Sequence, residues 1–468
     1  LEASLRRLSH YDYWSGKVRS PVIADAKADL LIYGMGERQI IETARRLASG
    51  EDISALTDIR GTVFRSSAMP AELTDPGNPA FIPEAVVLPG SDSVRQDKQA
   101  FLKHFTIQYR NTDPVTGKPL IEPLPRGAVV QNPPAMPLPS AELDRIYELP
   151  FTRSAHPVYA DKGGVPALQE VQFSLASSRG CFGDCSFCSL TFHQGRHIQA
   201  RTKESLLREA EALTRHPGFK GNIHDVGGPT ANFRIPACRK QPDRGTCPDR
   251  LCLYPEPCPA LKADHTEYID LLRSLREVPG IKKVFIRSGI RYDYLEADPS
   301  PDFLRELCAH HVSGQLKTAP EHVSPEVLKR MGKPEIRVYD TFRDRFNAES
   351  KRIGKKQYIL PYFISAHPGS DLIAAVELAE YLKKSRFVPQ QVQDFYPTPG
   401  TVSTCMYHTG IDPRNGEKVY VPRSERERNL QRALLQFNNP KNRRKAREAL
   451  REAGRTDLIG KGKNCLVP

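Results

Sequence analysis

The sequence predicts an α/β protein built around six consecutive strand-helix units, and three observations carry that expectation. From residue 170 onward an apolar stretch followed by an amphipathic helix recurs six times. Each apolar stretch runs into a short loop of glycine, proline and polar residues. The apolar fraction of 39% against 26% charged leaves enough Leu, Ile, Val and Phe for a core and excludes wholesale disorder. Alternation of this kind gives a parallel sheet, because each crossover helix returns the chain to the same edge. Six units suit a curved, incompletely closed (βα)6 barrel, in which chemistry collects at the C-terminal ends of the strands.

Before that region, residues 29–48 read as a short buried strand, a turn at Gly34 and Gly36, and a helix with Ile40, Ile41, Ala44, Leu47 and Ala48 on one face. Residues 1–60 are thus expected to be the C-terminal part of an open, Rossmann-like α/β domain. The chain opens on Leu1 with no complete element before it, so the sequence is expected to begin inside a longer protein. Residues 61–165 are dense in proline and weak in periodicity, as in QNPPAMPLP and IEPLP, and are expected to form an extended connector.

Within the repeating region, 166–400, strands are expected near 171–177, 221–226, 282–287, 314–318, 358–365 and 391–396. Helices fall between them at 204–214, with Thr202 as N-cap, and at 268–277, 302–311, 325–331, 338–352 and 371–384. The loops that follow the strands are SSRGCFGDCSFC, DVGGPTANF, RSGIRYD, APEHVSP, SAHPGSD and YPTPGT. A cysteine-rich insertion at 236–260 interrupts the pattern. Residues 401–468 form a basic, mainly helical extension: 421–468 hold 13 Lys and Arg against five Asp and Glu, most of the net charge of +13.

No stretch approaches the roughly 20 apolar residues of a membrane-spanning helix, and residues 1–20 lack a secretory pattern, so a soluble cytoplasmic protein is expected. Ten cysteines are too few for a disulfide scaffold, and their grouping points to metal or redox chemistry. Cys181-x-x-x-Cys185-x-x-Cys188 puts three thiolates within eight residues, on a loop that Gly180 and Gly183 let turn sharply. Three thiolates hold three corners of a [4Fe-4S] cubane and leave the fourth iron open. S-adenosylmethionine can chelate that iron through its amino and carboxylate groups and accept an electron, so that its carbon-sulfur bond breaks to give a 5′-deoxyadenosyl radical. Phe187 is placed to cover the cluster or pack on the adenine. The competing reading is a zinc loop with His193 or His197 as fourth ligand, against which the spacing and the position after the first strand both stand.

Other loop residues carry weaker signals. Gly227, Gly228 and Pro229 would let backbone approach the methionyl amino group, or simply make a tight turn. Ser288, Arg291 and Glu321 are placed to bond a carboxylate or ribose hydroxyls, against the alternative of helix caps and solvated loops. His367 is a pocket candidate, although a lone His is more often structural. No residue stands out as catalytic acid or base. Cys238, Cys247, Cys252 and Cys258 lie in a proline-rich stretch that excludes a long helix, with intervening lengths of eight, four and five residues. They form a candidate second metal site, holding zinc or an auxiliary iron-sulfur cluster, against the alternative of separate reduced cysteines. The segment NNPKNRRKAREALREAGR, helical from Lys441, could contact nucleic-acid phosphates. A solvated helix with Glu448 paired to Arg444 and Arg451 explains it as well.

The segments EASLRR-x-x-HYDYW, RGCFGDCSFCS, DVGGPTANF, APEH, PYFISAHPG, FYPTPGT and IGKGKNCLVP, together with the cysteine-rich stretch, resemble the YgiQ-type family of the radical SAM superfamily along nearly the whole chain. The resemblance implies a partial (βα)6 radical SAM barrel with Cys181, Cys185 and Cys188 as [4Fe-4S] ligands and S-adenosylmethionine as cofactor. It also implies a reducing donor of flavodoxin or ferredoxin type, and leaves the substrate unassigned, with RNA or protein modification the leading guess. The unit at 29–48 resembles the end of a cobalamin-binding-like domain, but no Asp-x-His-x-x-Gly motif is present and a structural unit is the simpler reading. Two other classes compete: an iron-sulfur or zinc scaffold or electron carrier without radical chemistry, and a basic nucleic-acid-binding protein.

Overall fold

The computed structural model describes residues 1–468. Six parallel strand positions follow one another in chain order. Ser174–Ala176 pairs with Asp225–Gly227, and Asn222–Ile223, just before the latter, pairs with Lys283–Val284. Gln315–Glu321 pairs with Tyr358–Ser365, which pairs in turn with Gln393–Asp394. The third and fourth strands share no ladder, and there the Ile286 amide instead donates to the His311 carbonyl at 3.1 Å. Several strands are shorter than expected: Val171 ends the short helix Leu168–Val171, and the second strand is interrupted at His224.

The helices fall where periodicity places them. Lys203–Thr214 begins at Thr202, whose hydroxyl accepts from the Ser205 amide. Thr266–Glu277, Pro325–Met331, Ile336–Arg352 and Leu372–Lys384 follow. The expected helix at 302–311 is Asp302–Glu306 continued by a π turn, Leu307–His311. Leu175, Ile223, Val226, Val284 and Leu316 of the strands pack on Leu206, Leu272 and Phe342 of the helices. Each such buried side chain contributes about 1.5–3 kcal/mol.

The N-terminal third departs from expectation. Residues 61–165 are folded, not an extended connector. Leu30–Ile32, Thr62–Ser66, Ala128–Gln131, Leu120–Pro123 and Val86–Val87 make one five-stranded sheet, antiparallel except for its last pair. The prolines cluster at strand ends and turns, while Leu120, Ile121, Val129 and Val130 are buried. Helix Lys98–Arg110, capped by Asp97, packs beside it. The largely antiparallel pairing also differs from the Rossmann-like unit expected. Helix Glu37–Ala48 is present with its apolar face outward: Ile40, Ile41 and Leu47 are exposed, and Gln39 and Thr43 are buried.

At the C-terminal end, helices Glu425–Leu435 and Arg443–Glu452 dock on Leu372–Lys384 through Leu430, Leu434, Leu450, Leu378 and Leu382. Glu448 is taken by Arg426 (2.6 Å), which also reaches Glu452 (2.7 Å), in place of the expected partners Arg444 and Arg451. No helix is long and apolar enough to cross a membrane.

Candidate functional site

The three-cysteine loop leaves the strand Ser174–Ala176 through Ser178–Arg179 and is closed by an antiparallel bridge to Gln199–Ala200. Two glycines make its path possible. Gly180 has φ +83°, and a Cβ there would lie 1.9 Å from the His197 carbonyl oxygen. A Cβ on Gly183 would lie 2.2 Å from Nη1 of Arg291, so the glycine makes room for that guanidinium. The loop centre is pinned at Ser186: its amide donates to the Met331 carbonyl (3.0 Å), its carbonyl accepts from the Ser403 amide (2.9 Å), and its hydroxyl meets the Ser403 hydroxyl (2.7 Å). Ser403 is held by His367 Nε2 at 2.7 Å, and His367 Nδ1 lies 2.7 Å from the Pro368 carbonyl. Burial drives the His367 pKa down to about 3. The ring is therefore neutral, with Nδ1–H donating to Pro368 and Nε2 accepting from Ser403. His367 does not line the cavity at the loop; it supports the loop from behind, edge-on to Phe187 at 6.1 Å.

A cavity of about 260 Å³ opens against Cys181, Cys185 and Cys188. Phe187, Pro229, Ser288, Arg291 and Glu321 line it, so five of the seven cofactor-binding candidates converge with the thiols from loops up to 140 residues apart. Gly227 and Gly228 do not line it. They stand one layer behind, where a Cβ would meet the Ser288 hydroxyl at 2.1 Å and the Ser178 carbonyl at 2.5 Å, which favours the close-packing reading of the pair.

Arg291 is already partnered, unlike the free carboxylate binder expected. Its Nε and Nη2 form a two-point pair with Asp293 at 2.8 and 2.5 Å, and Nη1 points to Cys185 Sγ at 3.4 Å. The pair is buried. Burial works against the Arg291 cation, but Asp293 and the neighbouring thiols hold its pKa well above the ordinary value. Asn232 fixes the backbone beneath, accepting from the Arg291 amide (2.9 Å) and donating to its carbonyl (3.1 Å). Burial raises the Cys181 and Cys188 thiols, Cys188 to about 12, while Arg291 lowers Cys181. Thiols so desolvated stay neutral until a bound cation takes up their charge.

The sequence reading missed Lys333, Asp293 and Tyr362. Lys333 is 3% exposed, lines the cavity, and has its ammonium 5.6 Å from the centre of the Tyr292 ring, with no hydrogen-bonded or ion-paired partner. Glu321 shares that wall at φ +71°, a strained backbone for a residue with a side chain. Burial raises its carboxyl pKa, with Lys333 and Arg291 opposing. No local signal marks Lys333. The short spacing from Arg291 to Asp293 could have suggested their pair.

Neither histidine offered for zinc is turned to the thiols. His193 Nδ1 meets the Ser4 hydroxyl at 2.8 Å, and His197 Nε2 meets Asp113 at 2.9 Å. No three His, Cys, Asp or Glu anywhere in the chain are arranged to hold a single metal ion. The loop thus offers three thiols and no fourth protein ligand, a donor set that fits a cubane with one open corner. The Lys262 amide donates to the Ala237 carbonyl (2.8 Å) and the Cys258 amide to the Cys252 carbonyl (2.9 Å), so Cys238, Cys252 and Cys258 lie on stretches folded against one another.

Residues 1–174 match the family model described as Radical SAM N-terminal, 175–343 match the Radical SAM superfamily, and 390–468 match a domain of unknown function, DUF3362. A UPF0313 protein of Clostridium perfringens (strain 13 / Type A) is 52% identical over 467 residues, covering 100% of this chain and 69% of the relative. A UPF0313 protein of Clostridium botulinum (strain 657 / Type Ba4) is 49% identical over 468 residues, covering 100% and 72%. Among solved structures, the cobalamin-dependent S-adenosylmethionine radical enzyme OxsB aligns at TM-score 0.48 and 12% identity, over 93% of this chain and 56% of that one. The radical S-adenosylmethionine methyltransferase TsrM from Kitasatospora setae aligns at 0.43 and 12%, over 87% and 57%. With half of its residues identical along its whole length to UPF0313 proteins, and with the superfamily match beginning within the strand Ser174–Ala176, the chain belongs to the UPF0313 family and is a radical SAM enzyme.

Proposed function

We propose that Cys181, Cys185 and Cys188 hold a [4Fe-4S] cluster and that the cavity beside them binds S-adenosylmethionine for reductive cleavage. The observation that carries this reading is the convergence of three thiols, with no fourth protein ligand, on a cavity whose wall holds an unpartnered, buried lysine. When bound, the cluster supplies the electron that splits the cofactor's carbon-sulfur bond to give a 5′-deoxyadenosyl radical.

The chain's own groups have definable tasks. Arg291, locked by Asp293, places a fixed cation beside the Cys185 sulfur. Lys333 offers the cofactor carboxylate a desolvated ammonium, where a charge-assisted bond is stronger than in water. Glu321, with its raised pKa, is placed to bond a hydroxyl or ammonium group without burying a permanent second charge. Phe187, Leu190 and Ile290 give the cavity apolar wall that limits water around a reactive intermediate.

The test is anaerobic reconstitution followed by reduction with dithionite in the presence of S-adenosylmethionine. The wild type is expected to form 5′-deoxyadenosine, and a Cys181→Ala, Cys185→Ala, Cys188→Ala variant none. Equal yields from the two, or a wild type that binds iron without cleaving the cofactor, would defeat this reading and leave a redox or structural cluster.

A further inference from the structure

Cys238, Cys247, Cys252 and Cys258 take no part in that reading, yet they are assembled beside it. All four are free thiols. The only regular element among them is the single helical turn Gln241–Arg244. The Cys258 amide donates to the Cys252 carbonyl at 2.9 Å, folding the end of the segment back on itself. The Lys262 amide donates to the Ala237 carbonyl at 2.8 Å, bringing the start of the segment against its end, and Ala237, Cys252, Leu253 and Leu261 share one apolar cluster.

The segment is tied to the first cysteine loop at two points. Arg196 donates to Asp184 (3.1 Å), which lies between Cys181 and Cys185, and to the Thr246 hydroxyl (2.5 Å) and the Cys247 carbonyl (3.4 Å). Leu253 packs with Phe182, Phe233 and Tyr294 in the apolar cluster that includes Cys181. Apart from these ties the stretch is irregular and proline-rich, and fixing each backbone residue of such a stretch costs about 1–2 kcal/mol. A shared metal centre would supply the missing order.

The kind of centre follows from the spacing. A single zinc needs its sulfurs about 2.3 Å from one point, and no three of these side chains are gathered to hold one ion. A cubane places irons and sulfides between its ligands and accepts the wider arrangement. We propose that Cys238, Cys247, Cys252 and Cys258 ligate a second iron-sulfur cluster next to the first. Four protein ligands leave it no open iron, so it does not bind S-adenosylmethionine; its place against the Cys181 loop suits it to store or pass one electron, delivered by a low-potential one-electron donor.

Iron and sulfide counts on anaerobically reconstituted full chain test this. The wild type is expected to hold about eight irons, and the Cys181, Cys185, Cys188 triple alanine variant about four. A Cys252→Ser, Cys258→Ser variant should keep about four, with an electron paramagnetic resonance signal that still shifts on adding S-adenosylmethionine. Cys247→Ser, at an exposed thiol, repeats the test at a position where substitution disturbs no packing. The signal that remains in the triple variant should not respond to S-adenosylmethionine. About four irons in the wild type with none in the triple variant, or one zinc per chain in the triple variant, would overturn the proposal. A triple variant that keeps its cluster, in a wild type that does not cleave the cofactor, would sink the first-site reading and leave this one standing.

Discussion

At Gly183 a hydrogen atom decides where a charge sits. With a methyl group there, the Arg291 guanidinium has to leave its place beside Cys185, because the new carbon would stand 2.2 Å from Nη1. Gly183→Ala is expected to cost about 1–3 kcal/mol as overpacking, read by chemical denaturation, and to lower iron uptake on reconstitution; unchanged uptake would show that the cation beside Cys185 is dispensable. Lys333 is the second residue on which the site turns. A charged hydrogen bond contributes about 1.5–3 kcal/mol, so Lys333→Met should weaken S-adenosylmethionine binding roughly tenfold to a hundredfold in equilibrium dialysis with the reconstituted protein. An unchanged affinity would move the carboxylate anchor elsewhere. The cysteine loop was legible in the sequence because its spacing is local. Lys333 was not, because its burial and its lack of a partner arise only when the loop after helix Pro325–Met331 folds over Tyr292.

Among the elements, helix Lys203–Thr214 shows a local signal read correctly. Thr202 accepts from Ser205 and donates to Asp144 at 2.6 Å. Thr202→Ala should therefore cost about 0.5–2 kcal/mol in thermal or chemical denaturation, and a loss below that range would make the cap incidental. The helix Glu37–Ala48 shows the opposite case. Its apolar stripe was identified, but which face is covered depends on what packs against it, and here Gln39 and Thr43 turn inward. Loop 366–370 makes a pH-dependent contribution. Burial holds His367 neutral with a pKa of about 3, whereas in the unfolded chain it ionises near 6.5. Below about pH 6.5 the unfolded state binds a proton that the native state refuses, so stability falls as pH drops from about 6.5 toward 3. His367→Gln should flatten that dependence when denaturation midpoints at pH 7.5 and 5.5 are compared. An equally steep fall in the variant would assign it to other groups, of which the buried His322, also at about 3, is the first to examine.

Across the whole molecule, the C-terminal extension is an integral layer. Leu450 is fully buried against helix Leu372–Lys384 and its neighbours, so Leu450→Ala should cost about 2–5 kcal/mol. A loss near zero in chemical denaturation would mean that the last helices are only loosely attached. The same layer reaches the site, since Ser403 and His367 hold Ser186 in the cysteine loop. The basic tail is explained in part by its own ion pairs, Arg426 with Glu448 and Glu452, formed between helices and not along one.

What depends on near neighbours is legible in the amino-acid order: the three-thiol loop, the six-fold alternation, the N-cap at Thr202 and the candidates Phe187, Pro229, Ser288 and Glu321 at strand ends. Periodicity and spacing act over a few residues, and the C-terminal ends of parallel strands must meet once the sheet forms. That residues 61–165 fold into a sheet emerges only on packing, because antiparallel pairs such as Thr62–Ser66 with Ala128–Gln131 join segments more than 60 residues apart and the prolines between them mask the strands. Packing likewise pairs Arg291 with Asp293, makes His367 a support and not a cavity residue, and buries Lys333 with no ion-paired or hydrogen-bonded partner. Burial and pairing are properties of the packed molecule, and no stretch of sequence carries them on its own.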